Sequence, residues 1–152
     1  MHFLLIRRIS NSIEMKQMID NIFIDTNVLV YTYSVSELSK QTIARKLIEQ
    51  NISNISTQVL QELVNTITRK FKYSYIDAVL AVKECKTNNR VHTNTVTTIM
   101  SACEIAKEYK FSFYDSLIIA AAVESGCTKL YSEDMHNGLI IKDTLTIINP
   151  FD

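Results

Sequence analysis

The apolar residues of this chain fall into short runs that alternate with longer segments of helical spacing. Ile22, Phe23 and Ile24 form the first run, Asp25, Thr26 and Asn27 interrupt it, and Val28, Leu29 and Val30 resume it. The first run has the length of a buried strand, and the second reads as a helix. Over 37–50, Ile43, Leu47 and Ile48 recur at helical spacing on a polar background. Residues 51–54 read as loop, Ile55 as a short strand, and Ser56 or Thr57 as the N-cap of the next helix. That helix carries Val59, Leu60, Leu63, Val64, Ile67 and Phe71 on one stripe, and Glu62 falls well off its centre, on the side of Thr66 and Arg69.

Ser74 opens another helix, with Ile76, Val79, Leu80 and Ala81 facing inward and the helix-poor pair Asn88-Asn89 at its end. Residues 90–93 form a short strand. Thr95 then starts a helix with a stripe of Val96, Ile99, Met100, Cys103 and Ala106, running to about Lys110. Ser112 and Asp115 stand in capping-box register, residues 117–123 are apolar on every face, and Gly126 takes a C′ position, which predicts a buried helix. Residues 128–131 are the next strand, with Ser132, Glu133 and Asp134 beyond its end. Residues 145–148 are the last strand, stopped by Asn149-Pro150. Short strands alternating with amphipathic or buried helices, without tight hairpin signals, predict an α/β fold: a parallel sheet covered on both faces.

Composition narrows this picture without redirecting it. A chain of 152 residues, 47% hydrophobic, is one globular domain able to bury a substantial core. Lys plus Arg and Asp plus Glu both number 16, so the chain is no polycation that coats nucleic acid, although a local basic patch stays open. With 2 glycines and 1 proline, a turn-rich all-β sandwich is disfavoured. Cys85, Cys103 and Cys127 form no C-x-x-C pair and are expected to be buried, reduced thiols of a cytoplasmic protein. The opening MHFLLIRRIS has its arginines after a short apolar run, and is read as neither a secretory signal nor a membrane span. Residues 1–20 carry little pattern and are read as an extension of no assigned role, leaving 21–152 as the domain.

Four acids occupy equivalent places: Asp25 after the first strand, Glu62 near the start of a helix, Asp115 at the head of the buried helix, and Asp134 after the fourth strand. In a parallel sheet, strand carboxyl ends and the helix N-termini that follow share one edge, so all four can face one cleft. Clustered carboxylates raise one another's pKa unless a cation sits among them. Oxygen-only donors suit Mg²⁺ or Mn²⁺ rather than zinc, and a pair of such ions is one known solution to phosphodiester hydrolysis. Each acid taken singly also has a plainer role. Asp25 can cap the helix that follows, Glu62 can be a solvated helix acid, Asp115 can complete a capping box, and Asp134 can sit in a turn.

The motifs DTNVLVY, TQVLQELVN around Glu62, FSFYDSLIIAAA and LYSEDMHNG together resemble the PIN-domain nucleases, and the compact size resembles the VapC-type toxins of toxin–antitoxin pairs. The resemblance runs from about Asn21 to the C-terminus. It implies a three-layer α/β/α sandwich around a short parallel sheet, Mg²⁺- or Mn²⁺-dependent endonucleolytic cleavage of RNA, frequent homodimers, and an antitoxin protein that blocks the site. By that resemblance Asp25, Glu62, Asp115 and Asp134 are the catalytic, metal-holding quartet, and Thr26, Asn27 and Ser132 match supporting polar positions. Glu133 is an alternative to Asp134, although the family spacing favours Asp134.

Other features have two readings. Arg69, Lys70 and Lys72, and beyond them Lys83, Lys86 and Arg90, can contact RNA phosphates or form a solvated charged face. Tyr73, Tyr75 and Tyr114 can stack on bases or bridge core and surface. His136 can touch phosphate or occupy a surface turn, while His2 and His92 suggest nothing. A competing class is a non-catalytic PIN-like module that binds RNA or a protein partner, which metal-dependent stabilisation would distinguish. Phosphoryl transfer onto Asp25 is disfavoured, since haloacid-dehalogenase-type phosphatases want a second Asp where this chain has Asn27, and the acidic pair of receiver domains is missing.

Overall fold

The computed structural model describes residues 19–152, so most of the expected 1–20 extension lies outside the described residues. In chain order the elements are β1 Asn21–Ile24, α1 Thr26–Tyr31, α2 Leu38–Gln50, β2 Ile52–Ser56, α3 Thr57–Arg69, α4 Tyr75–Asn88, β3 Arg90–His92, α5 Val96–Tyr109, α6 Phe113–Glu124, β4 Lys129–Tyr131, β5 Ile140–Ile141 and β6 Leu145–Ile148. The strands form one sheet in the order β3-β2-β1-β4-β6-β5. Helix α1 packs on both α2 and α3, α3 packs on α4, α5 packs along α6, and both groups reach β2, which gives the three-layer α/β/α arrangement. Ile22, Phe23 and Ile24 of β1 are fully buried, as a strand covered on both faces requires. Among the described residues no helix is long and apolar enough to cross a membrane.

The chain runs from β1 outward through β2 to β3, then returns to the other side of β1 for β4. This reversal opens a crevice at the carboxyl ends of β1 and β4, where ligands bind in open α/β sheets. The register Ile24↔Tyr131 sets Asp25 and Ser132 side by side at that point. The Asp25 backbone N–H donates to Tyr131 O at 3.0 Å, which extends the ladder one residue past the strand.

Several expectations need correction. Residues 52–56 form a full strand rather than mostly loop, because its buried polar side chains find partners: Asn54 Nδ2 donates to Ile22 O at 3.0 Å and Ser53 Oγ to Asn88 O at 3.2 Å. On α4 the inward face is Ala78, Ala81, Cys85 and Asn88, whereas Ile76 is 77% exposed and Val79 and Leu80 also face outward. On α5 the inward residues are Thr98, Ala102 and Ile105, and Val96, Ile99, Met100 and Cys103 lie outside. Small inward side chains let both helices approach their neighbours closely. Cys85 and Cys127 are buried as expected, but Cys103 is exposed.

The sheet is also not wholly parallel, since β5 and β6 form an antiparallel hairpin. Its turn places Lys142 at φ 49° and Asp143 at φ 60°, with the Thr144 N–H donating to Ile141 O at 3.1 Å. These are the backbone requirements of a type I′ turn, which Asn-Gly meets without strain. Replacing Lys142 and Asp143 by Asn and Gly is expected to raise stability by about 1 kcal/mol, or about 2–4 °C in melting temperature. A lower melting temperature in thermal unfolding would contradict this.

Helix α6 is capped by Ser112, whose Oγ accepts from the Asp115 N–H at 3.2 Å. Ser116 through Ala122 are all buried. At the other end Gly126, at φ 69°, donates to Val123 O at 3.0 Å, while the Cys127 N–H donates to Ala122 O at 3.1 Å. This paired pattern requires a left-handed residue, which explains the glycine.

Candidate active site

Asp25 follows β1 and caps α1, so its two carboxylate oxygens have different duties. Oδ1 accepts from the Thr26 N–H at 2.7 Å, and Oδ2 accepts from Ser132 Oγ at 2.8 Å and from Asn27 Nδ2 at 3.4 Å. The residue is only 7% exposed. Burial pushes its pKa up; the bonds from Ser132 and Thr26 pull it down but do not compensate, and the charges of Glu62 and Asp115 push it further, to about 6. Capping and a place among clustered acids are therefore compatible roles.

Glu62 lies in the second turn of α3, held at both oxygens: Oε2 accepts from Thr26 Oγ1 at 2.7 Å and Oε1 from Gln58 Nε2 at 2.7 Å. Asp115 lends its backbone N–H to the Ser112 cap, but among the described residues the return bond of a capping box is not formed. Its carboxylate is thus not committed to capping, and its charge is felt at Asp25. Asp134 is exposed, and its Oδ2 accepts from Asn27 Nδ2 at 3.0 Å. Asn27 also accepts from the Glu133 N–H through Oδ1 at 3.2 Å, so one amide of α1 ties down the loop after β4.

Glu133 is engaged elsewhere. Lys40 Nζ donates to its Oε1 at 2.5 Å and Tyr31 OH to its Oε2 at 2.7 Å, while the lysine lies 4.8 Å from the Tyr31 ring and 5.2 Å from that of Phe151. Burial tends to raise the Glu133 pKa, but the Lys40 ammonium and the Tyr31 hydroxyl outweigh it and hold the carboxyl below its ordinary value.

Among the described residues, no lysine, arginine or histidine pairs with Asp25, Glu62, Asp115 or Asp134. Nor do three His, Cys, Asp or Glu side chains stand close enough to hold a metal among themselves. The donor chemistry nevertheless fits a hydrated Mg²⁺ or Mn²⁺. Every candidate donor is oxygen, the buried Asp25 carboxylate is repelled by its neighbours, and Mg²⁺ keeps several waters while using only one or two carboxylates directly.

A cleft of about 570 Å³ opens from Asn27, Glu62 and Asp134 toward Ser36, Lys70 and Phe71. Lys70 lines it, whereas Arg69 and Lys72 are exposed outside its lining. Tyr75 and Tyr114 are exposed and Tyr73 is half-buried; His136 is exposed, and His92 Nε2 lies 2.8 Å from Glu124 Oε2. Sequence reasoning missed Gln58, Tyr31 and Lys40. The first had a signal, its i, i+4 spacing to Glu62; the other two owe their roles to a loop distant in sequence.

A family model described as PIN domain matches residues 22–136, and the chain belongs to that family. No curated protein matches the chain. Among solved structures, VapC20 of Mycobacterium tuberculosis, a toxin that cleaves the sarcin–ricin loop, is 22% identical with a TM-score of 0.60, covering 72% of this chain and 86% of that one. A toxin–antitoxin complex from Klebsiella pneumoniae is 16% identical with a TM-score of 0.64, covering 86% and 98%. VapBC2 of Rickettsia felis, bound to a promoter DNA fragment, is 16% identical with a TM-score of 0.62, covering 85% and 99%. At these identities the likeness is one of fold.

Proposed function

We propose that the chain is a divalent-metal-dependent endoribonuclease, the toxin of a VapBC-type toxin–antitoxin pair, with residues 21–152 as its nuclease domain. The observation that carries this reading is Asp25, a buried carboxylate at the switch point of the sheet whose pKa is raised by burial and by two neighbouring acids, and which no basic side chain among the described residues pairs with. Asp25, Glu62, Asp115 and Asp134 hold Mg²⁺ or Mn²⁺, and Thr26, Asn27 and Ser132 orient them. When bound, the ion supplies Lewis-acid stabilisation of charge developing on the phosphate. Lys70, with Arg69 and Lys72 nearby in sequence, contacts phosphates without reading sequence. An antitoxin protein is the partner that covers the cleft, a reading supported by the toxin–antitoxin complexes among the solved structures of like fold, and the protein works in the cytoplasm.

The outward apolar residues of α4 and α5 support a homodimer. Tyr75, Ile76 and Val79 on one helix, and Val96, Ile99 and Met100 on the other, are all exposed. Large exposed apolar surfaces mark interaction sites.

Incubation with a mixed RNA pool and Mn²⁺ tests the activity. Internal cleavage that EDTA abolishes is expected; cleavage that ignores EDTA, or that persists undiminished in Asp25→Asn, would overturn the reading.

A further inference from the structure

Gln58 is a polar side chain in the first turn of α3, only 5% exposed. Its Nε2 donates to Glu62 Oε1 at 2.7 Å and to the Tyr114 carbonyl oxygen at 3.2 Å. Its Oε1 is buried and, among the described residues, has no partner. A buried acceptor without a partner carries the full cost of leaving water. At an inward helical position a methionine or leucine would avoid that cost, so stability alone does not account for the amide.

Its donor side supplies the account. The Tyr114 carbonyl belongs to the first turn of α6, one residue before Asp115, so Gln58 fastens Glu62 on α3 to the helix that carries Asp115. Thr26 Oγ1 grips the other Glu62 oxygen from the start of α1, next to Asp25. We infer that Gln58 is a positioning residue, which sets the Glu62 carboxylate relative to Asp115 and Asp25 by bridging it to the Tyr114 carbonyl. This inference rests on the proposed metal-dependent reading of the acids. Gln58 acts through Glu62, as hydrogen-bond partners outside a coordination sphere commonly do.

Gln58→Met keeps the buried volume and removes both polar ends. Calorimetric titration with Mn²⁺ is expected to show a dissociation constant raised about 10–100-fold. Cleavage should recover when Mn²⁺ is raised by the same factor, with KM for RNA at saturating Mn²⁺ unchanged. Gln58→Asn, which retains an amide but is one methylene too short for the bridge, should show the same shift and serves if the methionine variant fails to fold. In a Glu62→Ala background, Gln58→Met should weaken Mn²⁺ binding no further, because no carboxylate remains to be held. Wild-type Mn²⁺ affinity in both Gln58 variants, or a further loss in the Glu62→Ala background, would overturn the inference. A wild-type protein that neither binds Mn²⁺ nor cleaves RNA would instead overturn the proposed function, so the two failures are distinguishable.

Discussion

Asp25→Asn is expected to make the metal-free protein more stable at neutral pH while reducing RNA cleavage by more than about 100-fold, the upper end of what loss of a partner outside the coordination sphere costs. The two effects share one cause. Burial, aided by Glu62 and Asp115, raises the Asp25 pKa from 3.8 to about 6. The folded chain therefore holds this proton more tightly than the unfolded chain does. Between about pH 4 and pH 6 the folded state must surrender a proton it favours, and the group's contribution falls by about 3 kcal/mol, then stays flat at higher pH. An amide has no such proton to lose, and its oxygen still accepts from the Thr26 N–H. Allowing for a weaker contact with Ser132, the variant should gain about 1–2 kcal/mol at pH 7.5, which is about 2–8 °C. Denaturant unfolding at pH 4.5 and 7.5 reads the difference directly. Equal pH dependence in wild type and variant would refute the electrostatic account. Mn²⁺ should raise the melting temperature of the wild type, since a ligand specific to the native state stabilises it by mass action, and leave that of the variant unmoved.

The second large effect concerns association. Ile76→Glu combined with Met100→Glu should convert a dimer into a monomer, raising its Kd more than about 100-fold, because whichever of the two outward apolar faces meets the partner then carries a charge that two-fold symmetry introduces twice. The fold should survive, since both side chains already face outward on α4 and α5. Sedimentation velocity across a range of protein concentrations measures it. A wild type that stays monomeric at tens of micromolar would remove the basis for the dimer.

A continuous apolar run explains why β1 was readable: a strand buried on both faces leaves little else for Ile22, Phe23 and Ile24 to do. The same run marked Asp25 as lying at a carboxyl edge. The faces of α4 and α5 were harder. Periodicity shows that large apolar side chains share a face, but not whether that face meets the core or another molecule. Here the core takes the small face, Ala78, Ala81 and Ala102, and leaves Ile76 and Ile99 outside. Ser53 and Asn54 concealed β2 because their burial depends on partners elsewhere in the chain. The Lys142-Asp143 turn concealed the hairpin because a lysine opens it and no glycine follows, so the Asn-Gly or Asp-Gly signal of a left-handed turn is missing. The engagement of Glu133 by Lys40 spans 93 residues, and no local pattern encodes it.

Cys103 joins Val96, Ile99 and Met100 on the outward face of α5, whereas Cys85 and Cys127 are buried, their thiols pushed up to about 11 and about 12 mainly by that burial. A maleimide applied at neutral pH should therefore modify one sulfur per chain. If α5 is covered in a dimer, the rate of that modification should rise as the protein is diluted, so that an ordinary alkylation time course becomes a gauge of how much of the protein is paired.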